Sequence, residues 1–278
     1  MMRGLCLSLI LAFPALADEP QRVITLGGSI TEIAVALGAG DRLVARDTTS
    51  TFPETVLGLP DVGYIRALSP ENILALDPAL IVAEGDAGPP EAVAVLQAAG
   101  IPFALMPEAT DPEGVIAKIT AVAAALDLSG EGAALAADVA AGFDAVAQDV
   151  ARVTTPKRVL FILSLQGGRV MAGGQGTGAE GIIHLAGGVN AATGFDGYKP
   201  MTDEAVLAAA PDVILLMDRE GDMAISDEDV LAQPALAQSP AARAGAIVRM
   251  DGMLLLGFGP RTPQAAEALH AALYGAGS

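Results

Sequence analysis

Short apolar runs alternate with helical stretches along the whole chain, and Gly, Pro, Ser or Thr punctuates almost every join. Arg22–Leu26 reads as a buried strand. Gly27-Gly28-Ser29 then leads into an apolar helix from Ile30 to Leu37, with Ser29 as N-cap and Glu32 completing a capping box. Leu43–Ala45, Leu80–Ala83 and Pro102–Met106 repeat the strand pattern, and Ala92–Ala99 reads as a helix stopped by Gly100. Strand and helix in alternation predict a parallel α/β lobe. From about Pro112 to Arg152 the pattern turns helical: Val115–Leu126, a break at Ser129-Gly130, then Glu131–Arg152, alanine-rich and without proline. A helix of that length is a rigid connector rather than a crossover. The α/β pattern resumes with strands over Arg158–Leu163, Val213–Met217 and Ala246–Met250 and closes with a helix over Thr262–Leu273.

One unit occurs twice. Gly63-Tyr64-Ile65-Arg66-Ala67-Leu68-Ser69-Pro70-Glu71 is followed by Ile73-Leu74-Ala75, Pro78 and the run Leu80-Ile81-Val82. Gly197-Tyr198-Lys199-Pro200-Met201-Thr202-Asp203-Glu204 is followed by Val206-Leu207-Ala208, Pro211 and Val213–Leu216. From Ser69 and Thr202 onward the copies align without a gap. Each predicts a tyrosine loop with a cation, a Ser or Thr N-cap, a short helix and a buried strand. The duplication predicts two similar lobes, each offering a tyrosine loop to a shared cleft.

Arg3, the apolar stretch Leu5–Leu16 and Ala15-Leu16-Ala17 have the layout of a secretory signal cleaved before Asp18. The expected division is signal 1–17, N-terminal lobe 18–128, interlobe helix 129–155 and C-terminal lobe 156–278. The single cysteine, Cys6, lies inside the signal, so the mature chain has no disulfide, thiolate metal site or catalytic cysteine. A formal charge of −18 disfavours nucleic acid, which needs clustered Lys and Arg. Tryptophan is absent, which singles out Tyr64, Tyr198 and Tyr274.

Gly176-Thr-Gly178-Ala-Glu-Gly181 fits a dinucleotide fingerprint literally, but its preceding strand is short, and it reads better as a glycine-rich turn. Of the two histidines, His184 reads as a packed core residue and His270 as a surface one. No zinc or calcium ligand spacing is present. Tyr64, two residues from Arg66, reads either as an axial phenolate ligand to ferric iron or as an interlobe packing residue. The guanidinium would help hold the anion or pair with a ligand carboxylate. Tyr198 with Lys199 occupies the mirrored position, either contacting the other face of a flat ligand or lining the cleft. Arg219 follows a strand at its carboxyl end, where α/β ligands bind, and Arg261 serves either the cleft or a helix end. Glu71 and Glu204 sit in matching first turns, either as helix-start carboxylates or as paired acidic knobs for a two-fold partner.

Several of these stretches resemble periplasmic haem-binding proteins of ABC-type haemin importers: residues 22–32, 37–44, 63–71, 185–191 and 197–200. The resemblance spans essentially the mature chain, and its Gly-Tyr-x-Arg element is what points to haem. It implies two Rossmann-like α/β lobes, parallel sheets flanked by helices, joined by one long backbone helix, with the ligand between them. It implies Tyr64 as haem-iron ligand, Arg66 as propionate partner and Arg219 as a second one. Glu71 and Glu204 would engage the permease dimer. The implied protein is a monomeric periplasmic carrier that catalyses nothing. Some members add a histidine from the second lobe, but Ser164–Gly168 has none here, which leaves the sixth position open, water-filled or met by Tyr198. Cobalamin and ferric-siderophore carriers share the architecture and are the alternative, followed by an exported α/β enzyme.

Overall fold

The computed structural model describes residues 21–219, 221 and 224–275. The signal reading of residues 1–17 lies outside them. Strands β1 (Val23–Leu26), β2 (Leu43–Arg46), β3 (Leu80–Glu84) and β4 (Phe103–Met106) form one sheet in the order β2-β1-β3-β4, parallel throughout. A second sheet holds β5 (Arg158–Ser164), β6 (Val170–Gly173), β7 (Val189–Asn190), β8 (Tyr198–Met201), β9 (Val213–Asp218) and β10 (Ile247–Asp251). Its path is β10-β9-β5-β6-β8, with β7 paired to β5. Strand β6 runs antiparallel to both β5 and β8, so this sheet is mixed where a parallel one was predicted. The reason is the connection: the few residues between β5 and β6 are too short for a crossover helix, so the chain must double back.

The helices are α1 (Gly28–Ala36), α2 (Pro70–Leu74), α3 (Pro90–Ala98), α4 (Pro112–Ala125), α5 (Ser129–Val150) and α6 (Gly178–Leu185). After them come α7 (Asp203–Ala209), α8 (Asp227–Ala232), α9 (Pro234–Ala237), α10 (Pro240–Ala244), α11 (Gly252–Leu256) and α12 (Thr262–Tyr274). The long helix is present as α5, of 22 residues. The break before it lies at Leu126–Leu128, where Asp127 takes a left-handed φ of 59°, and Gly130 is carried inside the helix. Helix α5 packs on α4 on one side and on α6 and α12 on the other.

Strand side chains alternate between two buried faces, as the period of two requires. In β3, Ile81 and Ala83 face one core with Ile24, Ile65 and Ile73, while Leu80 and Val82 face another. In β5 and β9, Leu160, Ile162, Ile214 and Leu216 pack on an outer layer, while Val159, Phe161, Val213 and Leu215 turn to the opposite side. That opposite side is the same cluster that receives Leu80 and Val82. Its members come from both sheets and from α1, α4, α5, α6 and α12, so the two sheets share one continuous apolar core. Separating them would expose a dry, close-packed interior rather than a wet domain seam.

Candidate functional site

The first tyrosine unit is built from a turn that only glycine adopts easily. Gly63 has φ +100°, its carbonyl accepts from the Thr48 N–H at 3.0 Å, and its own N–H donates to Asp61 Oδ1 at 2.8 Å. Tyr64 then enters a single 3₁₀ turn, Ile65–Ala67, whose Ile65 is buried and anchors the loop to the core. That anchoring turns Tyr64 outward, with 43% of its surface exposed. Arg66 Nη1 donates to Tyr64 Oη at 2.6 Å, and its guanidinium carbon lies 5.7 Å from the ring centroid. Arg66 Nη2 forms an ion pair with Asp86 Oδ2 in the turn after β3. Two backbone bonds join that turn to the tyrosine loop, Gly88 N to Ile65 O and Leu68 N to Gly88 O, both at 2.9 Å. Burial pulls the Arg66 guanidinium down, but the Tyr64 oxygen and Asp86 outweigh it and leave its pKa above the ordinary arginine value.

The second copy keeps the helix and the strand but not the loop. Thr202 caps α7 as Ser69 caps α2, accepting from Ala205 N at 3.2 Å, and β9 follows as β3 does. Upstream, Tyr198–Met201 is not a loop: it is β8, an edge strand on β6. Extended Lys199-Pro200 suits an edge, where proline leaves no ladder bond unmade. Tyr198 is 40% exposed, close to the 43% of Tyr64, but its ring is held differently. Its ring meets Phe161 edge-on, with centroids 6.3 Å apart, and crosses close to Gly173. Burial pushes the Tyr198 phenol up; the Ala179 N–H, the Thr177 hydroxyl and the Arg66 charge offset this only in part. The Arg66 charge, in the first unit, is thus felt at Tyr198 in the second. Lys199 is exposed on the same strand, and Arg219, after β9, is half-buried with its Nη2 3.5 Å from Met217 Sδ.

Glu71 and Glu204 are both exposed in the first turns of α2 and α7, and Glu204 is held below the usual carboxylate range by its own backbone N–H, followed by the Thr202 hydroxyl. Gly178 and Gly181 serve packing, while Gly176 supplies a left-handed turn with φ +69°. A Cβ at Gly181 would lie 2.2 Å from the Thr110 carbonyl, and Glu180 Oε2 already accepts from the Gly176 N–H at 2.8 Å. The chain's own carboxylate stands where a pyrophosphate would have to sit. Among the described residues no group of three or more His, Cys, Asp and Glu could hold a metal ion.

The histidines exchange the places expected for them. His184 is exposed, whereas His270 is 6% exposed, with Nδ1 3.0 Å from the Ala186 carbonyl and its ring 5.0 Å from that of Tyr274. The cause is helix phase. Ala179, Ile182, Ile183 and Ala186 form the inner stripe of α6 and exclude residue 184, while Ala266, Leu269, His270 and Leu273 form that of α12. Tyr274 is structural: its hydroxyl donates to Gly187 O at 2.7 Å and accepts from Lys157 N at 3.0 Å.

Sequence reasoning also missed the charged groups beneath the site. Helix α1 starts at Gly28 with Gly27 as N-cap, so Ser29 and Glu32 make no capping box. Ser29 Oγ instead donates to Glu84 Oε1 at 2.5 Å and accepts from Lys118 Nζ at 3.0 Å. Lys118, 3% exposed, also reaches Gly257 O at 3.4 Å and lies 3.9 Å from Glu84. Glu32 takes a two-pronged ion pair from Arg261 across the lobes, and the Arg261 guanidinium covers the Phe52 ring at 3.6 Å. A separate groove of about 390 Å³ lies between α5 and the start of α12, and none of Tyr64, Arg66, Tyr198, Lys199 or Arg219 lines it.

This arrangement has close relatives. The family model described as periplasmic binding protein matches residues 23–254. The solved periplasmic heme-binding protein BhuT in complex with two hemes superposes with a TM-score of 0.86 at 44% identity, over 91% of this chain and 97% of that one. The periplasmic heme-binding protein RhuT from Roseiflexus sp. RS-1 gives 0.87 at 39%, over 91% and 98%. Among curated relatives, the vitamin B12-binding protein of Vibrio campbellii is 28% identical over 77% of this chain and 78% of its own length. The two sheets over one shared core, the matched N-capped helices and the extent of these matches lead to one assignment: the chain belongs to the periplasmic binding protein family.

Proposed function

We propose that this protein is exported to the periplasm by its N-terminal segment, captures haem between its two lobes and delivers it to an inner-membrane ABC importer. It catalyses no reaction. The observation that carries this reading is Tyr64: an exposed tyrosine with a guanidinium donating to its phenol oxygen at 2.6 Å. Phenolate is an established axial ligand to ferric haem, and the neighbouring positive charge compensates the anion that iron would select. The similarity over nine-tenths of the chain to proteins solved as heme-binding supports the same ligand.

In this reading Tyr64 is the haem-iron ligand and Arg66 its charge partner, with reach to a propionate. Lys199 and Arg219 answer the propionates from the second lobe. Tyr198 lines the flat face of the macrocycle, because burial favours its neutral phenol. The lobes, 18–128 and 156–278 with the helical connector 129–155 between them, move little on binding because they share a core. The carrier acts as a monomer and presents Glu71 and Glu204, one per lobe, to a two-fold permease.

The test is a titration of purified protein with haemin, cobalamin and ferric chelates, followed by absorption. Haemin is expected to produce a saturable tyrosinate-type charge-transfer spectrum, while the other ligands produce none. The vitamin B12-binding relatives make the corrinoid arm the serious competitor. Saturable binding of cobalamin without haemin would replace this reading by theirs.

A second measurement addresses docking. Reversing Glu71 and Glu204 together to lysine is expected to leave haemin affinity unchanged and to stop uptake in vesicles carrying the importer. Both carboxylates are exposed, so the fold loses little with them beyond a screened helix-dipole contribution. Loss of haemin binding in that variant would move these residues into the ligand site instead.

A further inference from the structure

The carboxylate of Asp86 stands behind the Tyr64–Arg66 pair and has no part in the function so far described. Its Oδ2 takes the ion pair from Arg66 Nη2, while its Oδ1 is buried without a hydrogen-bond partner. A carboxylate oxygen buried without a donor is unfavourable, so an offsetting role falls to Oδ2. The turn that carries Asp86 is fixed to the tyrosine loop by the bonds between Gly88 and residues Ile65 and Leu68. The aspartate is thus part of the same rigid body as the arginine backbone. The Arg66 side chain is otherwise free to sweep solvent, being 53% exposed on a flexible stem.

A guanidinium is a planar fork, and fixing one prong fixes the others. With Nη2 held by Asp86, Nη1 stays against Tyr64 Oη. We propose that Asp86 is a positioning residue for haem capture: it holds the Arg66 fork on the Tyr64 oxygen, so that the phenol is presented to iron already oriented and charge-compensated. The proposal rests on the reading of Tyr64 as iron ligand. It assigns the aspartate no contact with haem; its action passes entirely through Arg66. It also explains why an acidic residue sits among groups meant for an anionic ligand. The aspartate cancels part of the arginine's charge and holds the guanidinium beside the phenol.

The experiment uses the full mature chain with haemin as probe and compares Asp86→Ala, Asp86→Asn, Arg66→Ala and both double variants. Each is read by affinity and by the position of the charge-transfer band. Removing a group that orients a metal ligand typically costs about 10–100-fold in affinity, and Asp86→Ala is expected to fall in that range with a displaced band. Asp86→Asn keeps an acceptor for Nη2 and is expected to move the band the same way by less. If the alanine variant does not fold, as judged by its thermal melt, the asparagine variant carries the comparison. In the Arg66→Ala background either change at Asp86 is expected to add almost nothing, because residues acting through one another are not additive. Wild-type affinity and band in both Asp86 variants, or a loss that persists undiminished without Arg66, would overturn the proposal. Tyr64→Phe separates the two levels. If it abolishes the band while the Asp86 variants leave it in place, only the positioning role fails. If it leaves the band in place, the ligand assignment fails and the positioning role with it.

Discussion

Tyr64→Phe is expected to abolish the tyrosinate-type charge-transfer band of the ferric haem complex and to weaken haemin binding by on the order of 100-fold or more. The estimate starts from the cost of losing a group that merely orients a ligand, about 10–100-fold; loss of the ligand atom itself should exceed it. Phenylalanine keeps the ring and removes one oxygen, so the comparison is clean. The ring is 43% exposed and its loop is anchored by Ile65, so stability is expected to change little. Arg66 remains paired with Asp86 and is left with an empty prong rather than an unpaired charge. Tyr198 cannot take over readily, since burial pushes its phenol toward the neutral form and its ring is tied to Phe161 on the second lobe. The chain contains three tyrosines, and Tyr274 is bonded to Gly187 and Lys157. A variant spectrum identical to the wild type would therefore remove Tyr64 from iron and leave Tyr198 as the phenol to examine.

The elements of this fold were legible wherever a local rule governs them. Ser69 and Thr202 cap their helices as a Ser or Thr before Pro or Asp should, and Ser226 forms a capping box with Asp229. The buried strands followed from uninterrupted apolar runs. Tyr64 and Arg66 are two residues apart, so their meeting was visible in the sequence. The groups that support them were not. Arg66 and Asp86 are separated by 20 residues, Lys118 and Ser29 by 89, and Arg261 and Glu32 by 229. Such partners are brought together by sheet order and lobe packing, which leave no periodic trace. Glu32 shows how a local rule misleads: three residues after Ser29 it satisfied the capping pattern, while the helix began two residues earlier and its carboxylate went to the other lobe. The histidines are a different case, because the stripe of Ala266, Leu269, His270 and Leu273 was present in the sequence. Counting apolar neighbours along the chain, rather than positions around the helix, exchanged them.

The second large effect concerns the floor beneath the site. Lys118 is buried on α4 beside Ser29, Glu84 and the Gly257 carbonyl, with Asp86 and Glu108 also contributing to its field. Burial lowers its pKa, Glu84 acting against that, and burial raises the pKa of Glu84, with Lys118 and Ser29 acting against it. Both charges therefore pay for leaving water, and each is tolerated because the other is present. Lys118→Met keeps the volume and leaves Glu84, a partly buried carboxylate, under the influence of Asp86 and Asp47, which are also negative. The expected loss at neutral pH is about 3 kcal/mol, the low end for a buried pair, because the Glu84 side chain keeps some contact with solvent. Its pH dependence has a definite sign. A carboxyl whose folded pKa lies above the unfolded value of 4.5 favours the native state below that value and loses the contribution as pH rises through the folded pKa. Without Lys118 the folded pKa climbs further, so urea denaturation should find the variant much weaker than wild type at pH 7 and closer to it at pH 5. Adding Glu84→Gln should recover most of the loss at pH 7, because the stranded charge is gone and the amide can still accept from Ser29. An equal deficit at both pH values, or no recovery in the double variant, would show that Lys118 acts through the Gly257 carbonyl and its own packing. The lobes would then be joined at this point by a single hydrogen bond instead of by a compensated pair.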